Sequence, residues 1–207
     1  MTGMFLIISL SSMSYATDVN GIITAVEQKY KDVNGLRANF VQHTFNPAFQ
    51  TKITQEGELS IRKPNALRWE FKTPAEKTFV MNGKKVWIWN PALNQVMVSN
   101  NFKQKDQMTN LLASMDNLRS DYTFKLLSED DSSYTLDVSS KNNASFDSLQ
   151  ITISKVEFLM QGMKVSGELT GQMELRLSNI EVNPPLSLDL FDFKAPSGAE
   201  VIAIDEM

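Results

Sequence analysis

The sequence predicts an α+β fold dominated by one large, strongly curved antiparallel sheet with a few helices laid over one face or mouth. Three observations predict it. An amphipathic helix stands near the start, a two-residue hydrophobic period runs through most of the remaining chain, and turn signals break that period into about ten strands. A sheet of that size curls, because the twist between neighbouring strands accumulates, and its helices must cover the apolar side.

The helix comes first. Val19, Ile22, Ile23, Val26, Tyr30 and Val33 recur at helical spacing, Asp18 is placed to cap the start, and Asn34-Gly35 ends the run. Alternation then predicts strands at 36–46, 53–62, 66–73, 77–82, 85–90 and 94–99. Asn46-Pro47, Pro64-Asn65, Pro74, Asn82-Gly83 and Pro91 punctuate them, and Asn82-Gly83 is a hairpin signal. A second helix is expected over 104–118, with Met108, Leu111, Leu112, Met115 and Leu118 on one stripe. Strands resume at 121–128, 133–139, 148–154, 156–165 and 168–182. No linker, repeat or low-complexity block divides the chain, so residues 17–207 read as a single domain.

Residues 1–16 read differently. "MFLIISLSSMSYA" passes from an apolar core to small residues, the pattern of a signal peptide cleaved before Thr17. The run is too short to span a bilayer. No Lys or Arg precedes Phe5, which points to a translation start upstream of Met1. With no cysteine there is no disulfide, no thiolate metal site and no residue to lipidate. The expected mature protein is therefore free, not membrane-anchored, and resides in the periplasm or the medium.

Composition excludes several classes of function. A net charge of −4 offers no basic field for nucleic acid. His43 is the sole histidine and has no cysteine partners, so no metal site or cofactor is expected. No nucleophile elbow, phosphate-binding loop or dinucleotide fingerprint appears. An enzyme is not expected.

What the sequence has in surplus is soft apolar surface. Leu67, Trp69 and Phe71 share one face of their strand; Phe79, Met81, Met97 and Met160 lie on others. Methionine favours pliable apolar surfaces. The stretch "KKVWIWNP" is apolar on both faces, Val86 and Ile88 on one, Trp87 and Trp89 on the other. One face is expected in the fold's own core and the other at a cavity. If the concave side takes the bulkier groups, the Trp87/Trp89 face is the inner one. Composition and periodicity alone leave an ordinary filled core and a cavity for apolar guests evenly balanced.

A set of residues from Leu36 to Pro91 resembles the LolA family of periplasmic lipoprotein carriers. Phe40-x-Gln42, Gly57, Lys63-Pro64-Asn65, Trp69, Pro74, Asn82-Gly83 and Val86-Trp87 to Asn90-Pro91 carry the resemblance, with Gln95 beyond. Phe191-x-Phe193-x-x-Pro196-x-Gly198-x-x-Val201 resembles the family's closing segment. The resemblance implies an unclosed antiparallel β-barrel, a half-barrel, with helices forming a lid over a hydrophobic cavity. It also implies acylated lipoproteins as cargo, taken from an inner-membrane ABC exporter and passed to a LolB-type outer-membrane receptor by a monomeric shuttle. Leu67, Trp69, Phe71, Phe79, Met81, Trp87, Trp89, Met97 and Met160 are then expected to bind acyl chains. Lys63, Met108, Leu111, Leu112 and Met115 are expected to form the lid. Two positions depart from the family's pattern: Lys63 stands where arginine is usual, and Leu67 where an aromatic is frequent. A periplasmic sensing or protein-binding module on the same scaffold is the alternative.

Overall fold

The computed structural model describes residues 18–100, 111–112, 115–141, 147–167 and 171–204. The segment 1–16, Met108 and most of the expected 104–118 helix lie outside them. Helix α1, Val19–Lys31, begins where Asp18 accepts hydrogen bonds from the N–H groups of Asn20 and Gly21, at 3.0 and 3.1 Å. Ile22, Ile23, Val26 and Tyr30 form its buried stripe, and Lys29 and Lys31 sit where the helix dipole favours cations.

Six strands come next: β1 Gly35–Asn46, β2 Thr51–Arg62, β3 Ala66–Thr73, β4 Lys77–Met81, β5 Val86–Asn90 and β6 Gln95–Ser99. After the short helix α2, Leu118–Asp121, come β7 Tyr122–Glu129, β8 Ser133–Ser140, β9 Ser148–Ser154, β10 Met160–Gly167 and β11 Gly171–Val182. A last strand, β12 Glu200–Ala203, completes a twelve-stranded sheet in the order β12-β6-β5-β4-β3-β2-β1-β11-β10-β9-β8-β7. Among the described residues nothing pairs β12 with β7, so the sheet is unclosed.

The sheet curls around α1. That helix packs on the edge strand β7, while its Tyr30 borders the same cleft as Leu67 of β3 and Met81 of β4. Bulges between Arg37 and Asn39, Glu56 and Gly57, and Met160 and Gly162 add bend at the sheet's middle. The result is mostly β, with few helices.

Three expectations are corrected. The strand expected over 156–165 starts only at Met160, because Ser154 folds the chain back: its Oγ accepts from the N–H groups of Val156 and Glu157. The helical run expected to reach Leu118 is broken before it, since Met115 and Asp116 turn and Asn117 adopts φ −146° before α2 begins. The strand expected over 168–182 is seen over Gly171–Val182, and 168–170 lie outside the described residues. Finally, β12 joins β6 in parallel, so the sheet is not wholly antiparallel.

Candidate functional site: the concave face and its cover

Register fixes which side chains share the concave face. Leu67, Trp69 and Phe71 of β3 stand opposite Met81, Phe79 and Lys77 of β4. Phe79 and Met81 in turn face Ile88 and Val86 of β5, and Ile88 faces Met97 of β6. On the other flank, Phe40 pairs with Leu177, and Met163 with both Leu175 and Ile151. All of these but Lys77 and Met97, with Leu36, Leu59, Met160 and Leu136, join the buried stripe of α1 in one apolar cluster.

Trp87 and Trp89 are not part of it. They pair with Val80 and Thr78 of β4 and with Val98 and Val96 of β6, all on the convex face. This corrects the expectation that they line the interior. The physical reason is the loop 82–85, which joins Met81 to Val86 and so keeps the even positions of β5 beside Phe79 and Met81. The convex tryptophans have their own cover. The chain after β11 crosses this face, with Phe191 1 % exposed and Phe193 against Trp89 at 6.5 Å between rings. Arg62 donates to the Leu186 carbonyl at 2.9 Å and Arg68 to that of Leu190 at 3.2 Å, tying the strap down. Val80 and Val96 lie fully buried on that side. "KKVWIWNP" is thus apolar on both faces because one faces the concave core and the other its own C-terminal strap.

An aromatic trio forms the centre of the concave wall. Trp69 and Phe71 stack at 5.7 Å, and Phe40 meets both edge-on, at 5.6 and 5.2 Å. Phe40 fits there because Gly57, opposite it on β2, has no side chain. Lys77 lies 4.7 Å over the Phe71 ring at the end of this row.

Helix α1, residues 111–112 and residues 115–121 close the concave side. Leu111, Leu112, Met115 and Leu118 are buried in the same cluster. Arg119 braces this cover on α1, donating to the Asn20 carbonyl at 2.7 Å, to Thr24 Oγ1 and, from its backbone N–H, to Glu27 at 2.9 Å. Lys63 links the cover to the sheet: its Nζ donates to the Tyr30 carbonyl at 2.6 Å and to Asp116 Oδ2 at 2.7 Å. One carbonyl and one carboxylate suit a compact ammonium, which lacks arginine's planar fork. Arg62, next to it, points to the strap on the opposite face. Beside this link is a small apolar cleft of about 30 Å³, partly open to solvent, with Leu36, Ile61, Leu67, Met81 and Leu112 in its wall.

Tyr30 ties the cover on its other side, its hydroxyl accepting from the Met160 N–H at 3.1 Å. Burial pushes its pKa from 10.0 up to about 12, against the smaller lowering by that hydrogen bond. The neutral phenol is therefore favoured by folding. Its contribution is whole below about pH 10 and is lost as pH rises through about 12, a span worth up to about 2–3 kcal/mol. Chemical denaturation across that range is expected to show a steeper alkaline loss of stability in the wild type than in Tyr30→Phe.

Sequence reasoning did not place Phe40, Tyr30 or Asp116 in the site. For Phe40 a signal existed, since it lies on the same alternating face of β1 as Leu36 and Ala38. Asp116 sits beside the apolar stripe in the sequence, and nothing there announces a partner for it.

Among the described residues no cluster of three His, Asp or Glu could hold a metal, and no helix is long and apolar enough to cross a membrane. A curled sheet with an apolar concave wall and a latched helical cover defines a carrier of apolar ligands. The family model for the outer membrane lipoprotein carrier protein LolA matches residues 31–194. The outer-membrane lipoprotein carrier protein of Francisella philomiragia is 32% identical over 178 residues, 84% of each chain. That of Neisseria meningitidis is 28% identical, covering 96% of this chain and 95% of its own. An uncharacterized conserved protein from Thermus thermophilus shares the fold, with a TM-score of 0.58 at 14% identity over 89% of this chain and 98% of its own. The chain belongs to the LolA family. It is an outer-membrane lipoprotein carrier and not an enzyme, of a family whose carriers are periplasmic.

Proposed function

We propose that the chain works in the periplasm, holding the acyl chains of lipoproteins against the concave wall after α1 and the cover around Leu111, Leu112 and Met115 swing off it. Leu67, Trp69, Phe71, Phe79, Met81, Met97 and Met160 bind the chains, joined by Val86 and Ile88 in place of Trp87 and Trp89. Lys63, Leu111, Leu112 and Met115 belong to the lid, as does Met108, which lies outside the described residues. The cargo comes from an inner-membrane ABC exporter and goes to a LolB-type receptor; the exporter, not this chain, supplies the free energy. The mature chain acts as an unanchored monomer.

The observation that carries this reading is the cover. An apolar wall that is buried by a separate, latched segment can be exposed without dismantling the sheet. Three acyl chains hold roughly forty methylenes, and at about 0.8 kcal/mol each their exposure to water would cost tens of kcal/mol. Free diffusion between membranes is therefore excluded, and a container is needed. In the empty state the same physics closes the lid, since the wall gains by burying Leu111, Leu112 and Met115. The latch adds little to that: Lys63 and Asp116 are both partly exposed, so their pairing is worth about 1 kcal/mol or less. Such a closure is reversible.

Mass spectrometry of the protein purified from periplasm is expected to find triacylated polypeptides bound; only unacylated partners would overturn the reading. Asp116→Ala is expected to raise binding of a hydrophobic dye several-fold at unchanged secondary structure, as a shift of about 1 kcal/mol favours the open state by roughly fivefold. Dye binding equal to wild type would remove Asp116 from the latch.

A further inference from the structure

The β1–β2 hairpin carries a feature that the lipoprotein site does not use. Its tip bears Phe45, Phe49 and Ile53, which are 38%, 77% and 48% exposed. They do not share a face. Phe45 pairs with Lys52 on the convex side, Ile53 pairs with Thr44 on the concave side, and Phe49 projects from the turn between them. A surface for a folded partner would gather its apolar groups on one side. A tip that is apolar all round fits a fluid apolar medium.

We propose that this tip is a finger that dips into the interface of an anionic lipid bilayer, seating Phe49 among the upper acyl segments with Phe45 and Ile53 flanking it.

Charge agrees with that occupant. The chain as a whole carries −4, yet from Phe40 to Gln55 there is no carboxylate, and Lys52 and His43 are the ionisable groups. Lys52 is exposed and placed to reach lipid phosphates while its stem follows the apolar tip. Backbone chemistry agrees as well. A turn entering lipid must satisfy its own N–H groups. Here Pro47 has none, and Asn46 Oδ1 accepts those of Ala48 and Phe49, at 3.0 and 3.2 Å. The hairpin is also braced from below. Gly171 of β11 approaches so closely that a Cβ there would lie 2.2 Å from the Phe45 carbonyl. On the β3 side, pairing of β2 begins at Glu56, so residues 51–55 have no neighbour there and are held by β1 alone. The shallow depth of interfacial elements, about 5–10 Å, needs only the turn and its flanking residues to enter.

The tip lies at the end of β2 away from Lys63, about 40 Å along the strand at about 3.3 Å per residue. Substitutions there therefore leave the acyl-binding wall alone, and membrane contact can be tested apart from cargo binding. The test is flotation of the empty full-length protein with vesicles of phosphatidylethanolamine and phosphatidylglycerol, against vesicles of phosphatidylcholine. Wild type is expected to float with the anionic vesicles. Phe49→Ser should lower that partition roughly tenfold, as fits removing one buried aromatic group. Lys52→Glu should weaken it on anionic vesicles and leave the neutral ones unchanged. A Phe49→Trp variant should add a blue-shifted emission component that lipids brominated along the chain quench, over the background of the three native tryptophans. Wild type that stays off both kinds of vesicle, or Phe49→Ser that floats as well as wild type, overturns the proposal; the first result would give the tip to a protein partner.

Discussion

Leu111→Glu is expected to abolish lipoprotein binding while leaving the sheet folded. Leu111 is fully buried against the concave wall, so a carboxylate there cannot stay in the closed state without losing several kcal/mol of hydration. The lid has an escape that a core strand lacks: it can lift off and place the new carboxylate in water. The sheet then survives, but the cover no longer presents an apolar surface to acyl chains. Binding should fall by about a hundredfold or more, the equivalent of about 3 kcal/mol, in a pull-down with triacylated lipoprotein. Leu67→Glu is expected to have the same effect on binding and a larger one on stability, because Leu67 is set in the sheet between Ile61 and Met81. Circular dichroism separates the two effects. Normal binding by both variants would contradict the assignment of this wall.

The second large effect concerns Gly57. A Cβ at that position would lie 1.8 Å from the Glu70 carbonyl oxygen and 2.9 Å from the Phe40 ring. The first contact is with backbone, so relief requires β2 and β3 to part beside the bulge between Glu56 and Gly57. Gly57→Ala should therefore cost about 3 kcal/mol or more, at the upper end of overpacking effects. It should also displace Phe40 from Trp69 and Phe71. Urea denaturation, with tryptophan emission as the probe, measures both; a loss under about 1 kcal/mol would show that the strands yield easily there.

Much of this architecture is legible in the sequence, and the gaps have physical causes. The helix reads cleanly because Asp18 and the i, i+4 apolar spacing agree with each other. The strand faces read cleanly where one side is polar, as with Leu67, Trp69 and Phe71 against Arg68, Glu70 and Lys72. In β5 both sides are apolar, and alternation then identifies two faces without saying which is inside. Yet the sequence held the missing datum. Asn82-Gly83 implies a hairpin loop of two or four residues, and either length places Val86 and Ile88 beside Phe79 and Met81. Phe79 and Trp87 could not both face inward. The preference for bulky groups inside was the weaker principle.

Other features were beyond the pattern. Strand β12 is four residues long and pairs in parallel with a strand about a hundred residues earlier, so no local turn announces its partner. Val156 looked like part of an alternating run, but Ser154 caps a turn through it, leaving Val156 85% exposed. The Lys63–Asp116 link joins distant residues through a fold that periodicity cannot specify. Recognition of the family came from the ordered set of residues around Trp69 and Asn82-Gly83. The identity of the inner face of β5 came only with register.

The most direct measurement is photo-crosslinking from defined positions. Benzoylphenylalanine placed at Leu67, at Met81 or at Trp87 reports whether acyl chains occupy the concave wall when lipoprotein is bound. Crosslinks to the acyl chains are expected from positions 67 and 81, and none from position 87 beneath the C-terminal strap. Crosslinks from position 87 with none from 67 or 81 would contradict acyl binding at the concave wall.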